Sequence, residues 1–347
     1  MAIAVRKSIY TIFTVIITTV VAFGQDEYLQ FSHDCKDFQS RFTKAIVIDN
    51  RPENPTLGFV QKGAFNKLTP VKFHGNLCDS LSTFFVTPDS AGKAPLKLTV
   101  ILNELYISEK TKAISETGRL KISLRLFSET NPDEYRELLS VDSAYSFNAM
   151  DVTKKLLRSV SEHLCEIAKS ATALKLSEFK NSRSYSLSEL YFLDSIEKLK
   201  IPIYNAININ AGIYYDYEDF KMNAPDSSVI TIDTSNPKNC MAFKWEKGKN
   251  KKTKIDKESI YAVSDGHVVL KATTIGLYQL TKTNNDFYYV GQTSFSNSNN
   301  VAMWGATFGL IGAAIASDSE RNSALFRFKI NYRIGNSIPI SQTMDRK

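Results

Sequence analysis

Residue types that carry catalysis are present in this chain, but their spacing matches no known catalytic site. Ser264-Asp265-Gly266-His267 places a hydroxyl, a carboxylate and an imidazole side by side. Adjacent side chains in a turn point apart, whereas a catalytic triad needs its base within hydrogen-bond reach of the nucleophile. The pattern therefore predicts a simple Asp-Gly turn. Because nucleophile-elbow, phosphate-loop and His-Glu-x-x-His motifs are also missing from the sequence, we expect no catalytic site, no metal and no cofactor.

A dense run of lysines is the most distinctive feature of the sequence. Seven lysines fall within fourteen residues and lie beside a tryptophan. Like charges at this density repel one another unless they extend into water or meet an anion. The run therefore predicts either a binding site for an acidic partner or anionic lipid headgroups, or a solvated hairpin loop. Nucleic acid is not expected, because no aromatic ladder accompanies the lysines. The candidate binding residues are Lys244, Trp245, Lys247, Lys249, Lys251, Lys252, Lys254 and Lys257.

The second unusual segment is apolar and rich in glycine. Residues 301–316 carry no charge, and Gly305 and Gly309 form a GxxxG step that lets helices approach closely. As a helix the segment would span about 24 Å, short of the roughly 30 Å hydrocarbon core of a membrane. Three alternatives follow: a helix buried against the second sheet, a partner-binding helix, or a segment in a membrane interface. The residues concerned are Trp304, Gly305, Phe308, Gly309 and Gly312.

Length and composition indicate a folded protein with room for two domains. Hydrophobic residues make up 43% of the 347 positions and charged residues 23%, which excludes intrinsic disorder. With only 15 glycines and 10 prolines the chain is not collagen-like. The formal net charge of +7 is mild, so the lysine run is a better guide to a partner than the overall charge.

The first 24 residues have the features of a secretory signal peptide. Arg6 and Lys7 precede an apolar stretch over 9–23, and small residues lie before the polar sequence that begins at Gln25. The alternative, an uncleaved membrane anchor, needs roughly 20 apolar residues. We predict cleavage after Gly24, which lowers the formal net charge from +7 to +5. The predicted location is the periplasm or the outer membrane, and no cysteine follows the cleavage site as it does in lipoproteins.

Export to an oxidising compartment allows the four cysteines to form disulfides. Three complete pairings are possible. We favour a bond between Cys35 and Cys78, since both lie in the first half and flank its opening strand. Cys165 falls on the apolar face of a predicted helix, where a buried free thiol is expected.

Residues 25–180 predict an α+β domain, an antiparallel sheet packed by helices. A continuous apolar run marks a short buried strand at 45–48, and alternating apolar residues mark strands near 96–107, 120–126 and 139–147. Asn103 breaks the alternation of 96–107 as a β-bulge would. A helix is predicted near 76–85. A second helix, capped by Asp151, is expected to bury one face over 151–169.

Residues 181–202 predict a linker helix, because Ser186-Leu187-Ser188-Glu189 fits the capping box and Pro202 follows. The rest of the chain, 203–347, predicts a strand-rich domain, a small mixed sheet or partly open barrel with the apolar helix 301–316. Its clearest strand covers 326–334, where apolar and polar residues alternate strictly.

Residues 45–173 resemble the auxiliary lipoproteins of ABC-type envelope lipid transporters. The resemblance lies in the order of elements and in the closing helix, Asp151-Val152-Thr153 through Ile167-Ala168-Lys169. Those proteins lie in the periplasm, tethered to the outer membrane. This chain lacks their lipidated cysteine, so no binding residues are carried over. A second stretch, Gly212 to Phe220 with Asn223-Ala224-Pro225 and Ser264-Asp265-Gly266, resembles a module of uncharacterised exported bacterial proteins and implies no activity.

Together these features predict a non-enzymatic protein of the cell envelope that binds or scaffolds a protein or an anionic lipid partner. The lysine run and the apolar segment 301–316 would form its binding surfaces. One alternative is a hydrolase of cell-surface polymers, which requires a deep polar cleft with convergent acids or His267. Another is a lipid-carrying transporter component, which requires an apolar cavity between the first sheet and helix 151–169.

Overall fold

The computed structural model describes residues 26–32, 35, 38–51, 56–62, 67–86, 96–111, 115–175, 179, 182–237, 240–246, 248–292 and 325–343. The predicted signal peptide 1–24, the apolar segment 301–316 and Lys247 lie outside the described residues. Helices and extensive sheets are both present, so the predicted α+β class is confirmed.

Three long antiparallel strands form the centre of the first sheet, which has eight strands. Five shorter strands complete it. The order of strands in the whole sheet is β1-β4-β3-β5-β6-β7-β8, and β2 also pairs with β5. The strands are β1 (Glu27–Leu29), β2 (Phe42–Asp49), β3 (Gly58–Lys62), β4 (Lys67–Phe73), β5 (Leu96–Thr111), β6 (Glu116–Asn131), β7 (Glu134–Ala149) and β8 (Ser184–Tyr185).

The sheet is mixed, whereas an antiparallel sheet was predicted. The β2–β5, β3–β5 and β1–β4 pairings are parallel. Strand direction depends on how the chain returns between strands, and period-two alternation is the same for both directions. The register of β5 against β6 shifts between Leu102 and Glu104, so the predicted bulge at Asn103 is confirmed.

Two helices, α1 (Leu77–Phe84) and α2 (Thr153–Ala173), pack against this sheet. Leu120, Ile122 and Leu124 of β6 are fully buried in the same core as Leu156 and Val160 of α2. The contact is close, and a Cβ added at Gly118 would lie 2.9 Å from the side chain of Val152. The interface between this sheet and α2 is thus filled by side chains.

The predicted start of α2 needs correction. Val152, and not Asp151, occupies the N-cap position, and its side chain makes no capping hydrogen bond. Instead the backbone N–H of Val152 donates to the Glu116 carboxylate at 2.9 Å. A carboxylate from the neighbouring strand thus satisfies one of the free N–H groups at the helix start.

The linker region contains three short helices, α3 (Leu187–Tyr191), α4 (Leu193–Lys198) and α5 (Pro202–Asn205). Ser186 and Glu189 form the predicted capping box at the start of α3. Pro202 opens α5 as its first residue, a position where a missing N–H costs no intrahelical hydrogen bond.

Within the described residues, the second half contains one helix, α6 (Tyr217–Lys221), and two antiparallel sheets. A seven-stranded sheet runs in the order β18-β17-β16-β15-β14-β13-β9, and a three-stranded sheet runs β10-β11-β12. The strands are β9 (Gly212–Tyr214), β10 (Ile230–Asp233), β11 (Met241–Trp245), β12 (Lys252–Lys254), β13 (Ala262–Ser264), β14 (Val269–Ala272), β15 (Leu277–Thr283), β16 (Asp286–Gln292), β17 (Leu325–Ile330) and β18 (Ser337–Thr343).

A buried ionic network connects the two halves through α4. The Arg125 guanidinium of β6 binds both carboxylate oxygens of Glu137, at 2.7 and 2.6 Å, and also Glu197 at 2.8 Å. The hydroxyl of Tyr332 lies 2.6 Å from Glu197 and 2.9 Å from Asp194. Residues of the first sheet, the linker and the second half therefore share one set of polar contacts.

Candidate functional site

Most of the lysine run lies on the hairpin formed by β11 and β12. In this antiparallel pair Phe243 lies opposite Lys254, and Trp245 lies opposite Lys252. Directly opposed residues share one face of a sheet. The register therefore places these aromatic side chains and lysines together on one face of the three-stranded sheet.

The other face of the three-stranded sheet packs inward. Ala242 is fully buried and Ile230 of β10 is 9% exposed, and both belong to a core that also contains Val263 and Leu270. Lys244 is on this inner side, half-buried, and its ammonium lies 3.5 Å from the Asp226 carboxylate. Its charge is thus partly neutralised within the protein.

The outer face is apolar at its centre and carries lysines at its edge, with the Asp233 carboxylate on the same face opposite Met241. Trp245 is 36% exposed, and Val229, which directly precedes β10 and accepts a hydrogen bond from the backbone N–H of Trp245, is 63% exposed. The Lys252 ammonium lies 4.6 Å from the centroid of the Phe243 ring, and the Trp245 indole N–H donates to the Thr231 hydroxyl at 2.8 Å. We call this surface the basic face: Val229, Met241, Phe243, Trp245, Lys252 and Lys254, with Lys249 and Lys251 at the hairpin turn.

The structure thus divides the predicted lysine cluster. Lys251, Lys252 and Lys254 are exposed, and Lys249 is exposed beside Glu246 at 3.2 Å. Lys257 instead donates to the backbone carbonyl of Thr274. The expected hairpin is confirmed, whereas the binding role of these lysines stays a prediction. Sequence reasoning missed Met241 and Phe243, although their alternation with Trp245 was visible as a period of two.

The segment Ser264-Asp265-Gly266-His267 is the Asp-Gly turn that the sequence predicts. The Asp265 carboxylate accepts hydrogen bonds from the backbone N–H groups of His267 at 2.9 Å and Val268 at 2.8 Å. The Ser264 hydroxyl accepts one from the N–H of Gly266, whose φ is +93°. These polar groups hold the turn, and the described contacts include no bond between the Ser264 hydroxyl and the imidazole.

The disulfide differs from the prediction. Cys35 is bonded to Cys165, with 5.7 Å between their Cα atoms, while Cys78 and Cys240 are free thiols. Cys165 lies on the apolar face of α2, as expected, and described residues on either side of Cys35 contact that helix. The backbone N–H of Ser32 donates to the Ser161 hydroxyl at 3.0 Å, and the Arg41 guanidinium donates to the carbonyl of Ala171 at 3.0 Å. These contacts place Cys35 beside α2.

A small pocket of about 80 Å³, lined by both apolar and charged side chains, lies between the two halves of the protein. Its lining includes Asn103 and Asp142 from the first sheet and Asp194, Lys329 and Arg333 from the linker and the second half. The charges on its walls are mixed. No group of three or more His, Cys, Asp or Glu side chains able to hold a metal occurs in the part of the chain that the structure describes.

Glu104, next to Asn103, gives stability a pH dependence with a clear sign. The carboxyl is 5% exposed, and burial raises its pKa to about 8 despite the nearby Lys121 ammonium. The unfolded chain releases this proton near pH 4.5 and the native protein holds it to about pH 8, so stability falls as pH rises through that window. The free energy of unfolding of the wild type should therefore fall between about pH 5 and about pH 7 by roughly 2–3 kcal/mol more than that of Glu104→Gln, as measured by urea unfolding.

Glu109 gives stability a pH dependence of the same sign, because burial raises its pKa to about 7. The difference between wild type and Glu104→Gln is therefore the quantity to measure, because Glu109 is common to both proteins. Parallel stability curves for the two proteins would contradict a protonated Glu104 in the native state.

None of the helices among the described residues is both long and apolar enough to cross a bilayer. The architecture is an α+β protein with two large sheets and a smaller sheet that carries an exposed basic face. No known family model and no curated protein matches the chain.

One solved structure that the fold matches is protein XCC0632 from Xanthomonas campestris, of the family DUF330. The match covers 43% of this chain and 93% of that chain, with 9% sequence identity and a TM-score of 0.27. A TM-score at this level does not establish a shared fold.

Proposed function

We propose that this protein is a non-enzymatic component of the cell envelope that docks on an anionic lipid surface through its basic face. The observation that carries the proposal is the register of β11 and β12, which puts Phe243 and Trp245 on the same exposed face as Lys252 and Lys254. Aromatic rings with lysines around them suit the boundary between headgroups and acyl chains.

The charge distribution favours a surface over a deep site. Each lysine near an anionic membrane contributes about 1 kcal/mol, and the effect falls off within a Debye length of roughly 10 Å at 0.1 M salt. Lys249, Lys251, Lys252 and Lys254 all belong to one short hairpin and can approach a flat surface together. β12 pairs only with β11 among the described strands, and its lysines also discourage pairing with another chain.

An envelope location is supported by two independent features. The Cys35–Cys165 disulfide fits an oxidising compartment, and the first 24 residues have the pattern of a signal peptide. The resemblance of residues 45–173 to envelope auxiliary lipoproteins points the same way. A contribution of residues 301–316 to docking stays a prediction from the sequence.

The test is co-sedimentation of the mature protein with vesicles of phosphatidylcholine, with and without phosphatidylglycerol. Wild type is expected to bind only the anionic vesicles, and less tightly as salt rises. Replacing Lys251 and Lys252 together by glutamine should weaken that binding roughly 30-fold, since about 2 kcal/mol of surface attraction is removed.

The matched control is Lys154→Gln with Lys169→Gln, which removes two exposed lysines from α2 without touching the basic face. This control should bind like the wild type. Equal binding to neutral vesicles, or equal losses in the two double variants, would contradict docking through the basic face. Absence of vesicle binding with retention of an acidic envelope protein would identify a protein partner and overturn the lipid proposal.

A further inference from the structure

A pocket of about 330 Å³ opens beside the basic face. One wall is formed by the end of β12 and the following 3-10 turn (Lys257–Ser259), and the other by the turn before β15. The volume falls within the range of about 300–1,000 Å³ that small-molecule sites occupy. The lining residues are Cys240, Lys254, Ile255, Asp256, Lys257, Ile275, Gly276 and Leu277.

The base of the pocket is apolar. Ile255 is 8% exposed and Leu277 4% exposed, and both belong to the core beneath the three-stranded sheet. Cys240 is 3% exposed and joins Leu277 through a backbone hydrogen bond of 3.3 Å. Burial raises the pKa of the Cys240 thiol, so it stays protonated and serves as a small apolar wall.

The mouth of the pocket has a net positive charge. Lys254 is exposed, and neither Lys254 nor Lys257 forms an ion pair with a carboxylate among the residues that the structure describes. The Lys257 ammonium donates to the neutral carbonyl of Thr274, which fixes its position without cancelling its charge. The Asp256 carboxylate caps the 3-10 turn by accepting from the N–H of Glu258 at 3.1 Å.

The apolar base and the positively charged mouth of the pocket together favour one kind of ligand. A free inorganic anion would contact only the ammonium groups and leave the apolar base in water, and an uncharged alkyl chain would bury that base without using the positive charge at the mouth. A molecule with an anionic headgroup and an alkyl chain satisfies both conditions at once.

We propose that this pocket binds a single-chain anionic amphiphile, with its headgroup at Lys254 and Lys257 and its chain against Ile255, Ile275 and Leu277. This inference rests on the proposed docking at an anionic lipid surface and names the molecule that the surface would supply. The shared chemistry is a carboxylate or phosphate headgroup on one alkyl chain, present in a fatty acid and in a lipid with one chain.

Cys240 provides a direct probe of occupancy. In a Cys78→Ser background Cys240 is the remaining free thiol, because the chain has four cysteines and two are bonded to each other. The rate of its reaction with N-ethylmaleimide should fall several-fold and saturably as decanoate or decyl phosphate is added below its micelle concentration. Inorganic phosphate and uncharged decyl maltoside at the same concentrations should give no protection.

Replacing Lys254 and Lys257 together by glutamine should weaken protection by decanoate at least about tenfold, since two charged contacts are lost. Titration calorimetry with decanoate supplies a second measurement that does not depend on the reactivity of a buried thiol. Equal protection by decyl maltoside, or the absence of both protection and binding heat, would overturn the pocket assignment.

The two proposals fail separately. Lys251→Gln with Lys252→Gln should lose vesicle binding yet keep protection by decanoate, because those side chains do not line the pocket. Vesicle binding by the wild type without any decanoate binding would overturn the pocket alone. Decanoate binding without vesicle binding would overturn docking and leave a site for a soluble amphiphile.

Discussion

Replacing Cys165 by serine is expected to lower the free energy of unfolding by about 5 kcal/mol. The Cys35–Cys165 bond spans 130 residues, and closing so long a loop removes much of the conformational entropy of the unfolded chain. This loop includes nearly all of the first sheet and most of α2. The measurement is urea or guanidinium unfolding of the mature protein, with the midpoint and slope compared between variants.

Cys78→Ser is the matched control, because Cys78 is an unbonded, half-buried thiol on α1. It should change stability by less than about 1 kcal/mol. Adding a reductant to the wild type should reproduce the loss seen in Cys165→Ser and leave that variant unchanged. A larger loss in Cys78→Ser than in Cys165→Ser would instead support the pairing predicted from the sequence.

Replacing Arg125 by methionine is expected to destabilise the protein by about 3–5 kcal/mol. The Arg125 side chain is 5% exposed and binds Glu137 and Glu197, which are 28% and 23% exposed. Without the guanidinium these partly exposed carboxylates lose their main cation and the hydrogen bonds that it donates. The loss of stability should appear in the same unfolding experiment. It should also weaken the contact between the two halves, because Glu197 also accepts a hydrogen bond from the Tyr332 hydroxyl.

Arg158→Met provides the comparison at an exposed ion pair. Arg158 and Glu162 lie on α2 with side chains 69% and 57% exposed, and such pairs contribute about 0.3–0.5 kcal/mol. Replacing Arg125 and Glu137 together by methionine and leucine should restore part of the stability lost in the single variant, since the unpaired charge is removed. If Arg125→Met costs no more than Arg158→Met, the network does not stabilise the fold.

Elements with their own hydrophobic period could be predicted from the sequence. β6 follows a regular period of two although the structure buries both of its faces, α2 buries one face of a helical pattern, and the capping box at Ser186 is a local signal over four residues. The strands that were missed, such as β12 and β18, pair with the strands that directly precede them, β11 and β17, but their own sequences are unfavourable, and β18 contains Pro339. Lys252–Lys254 has no apolar residue at all, so its sequence favours a loop.

The candidate site could also be predicted from the sequence only in part. The charge of the hairpin could be predicted, because it depends only on the count of lysines. The shared face of Trp245 and Lys252 depends on the register of β11 against β12, and the pocket near Cys240 depends on the approach of the turn before Leu277. The disulfide was assigned to the wrong partner for a related reason, since the proximity of Cys35 to Cys165 is a contact across 130 residues that no local pattern predicts.

The position of the disulfide in the chain has a consequence for biogenesis. Both bonded cysteines precede residue 181, so the whole loop that they close is synthesised before the second half. Domains usually fold in order from the N-terminus as a chain emerges. With the proposed export, oxidation would lock the first sheet and α2 together before the lysine-rich hairpin has been translocated, and the second half would then assemble on a folded first half.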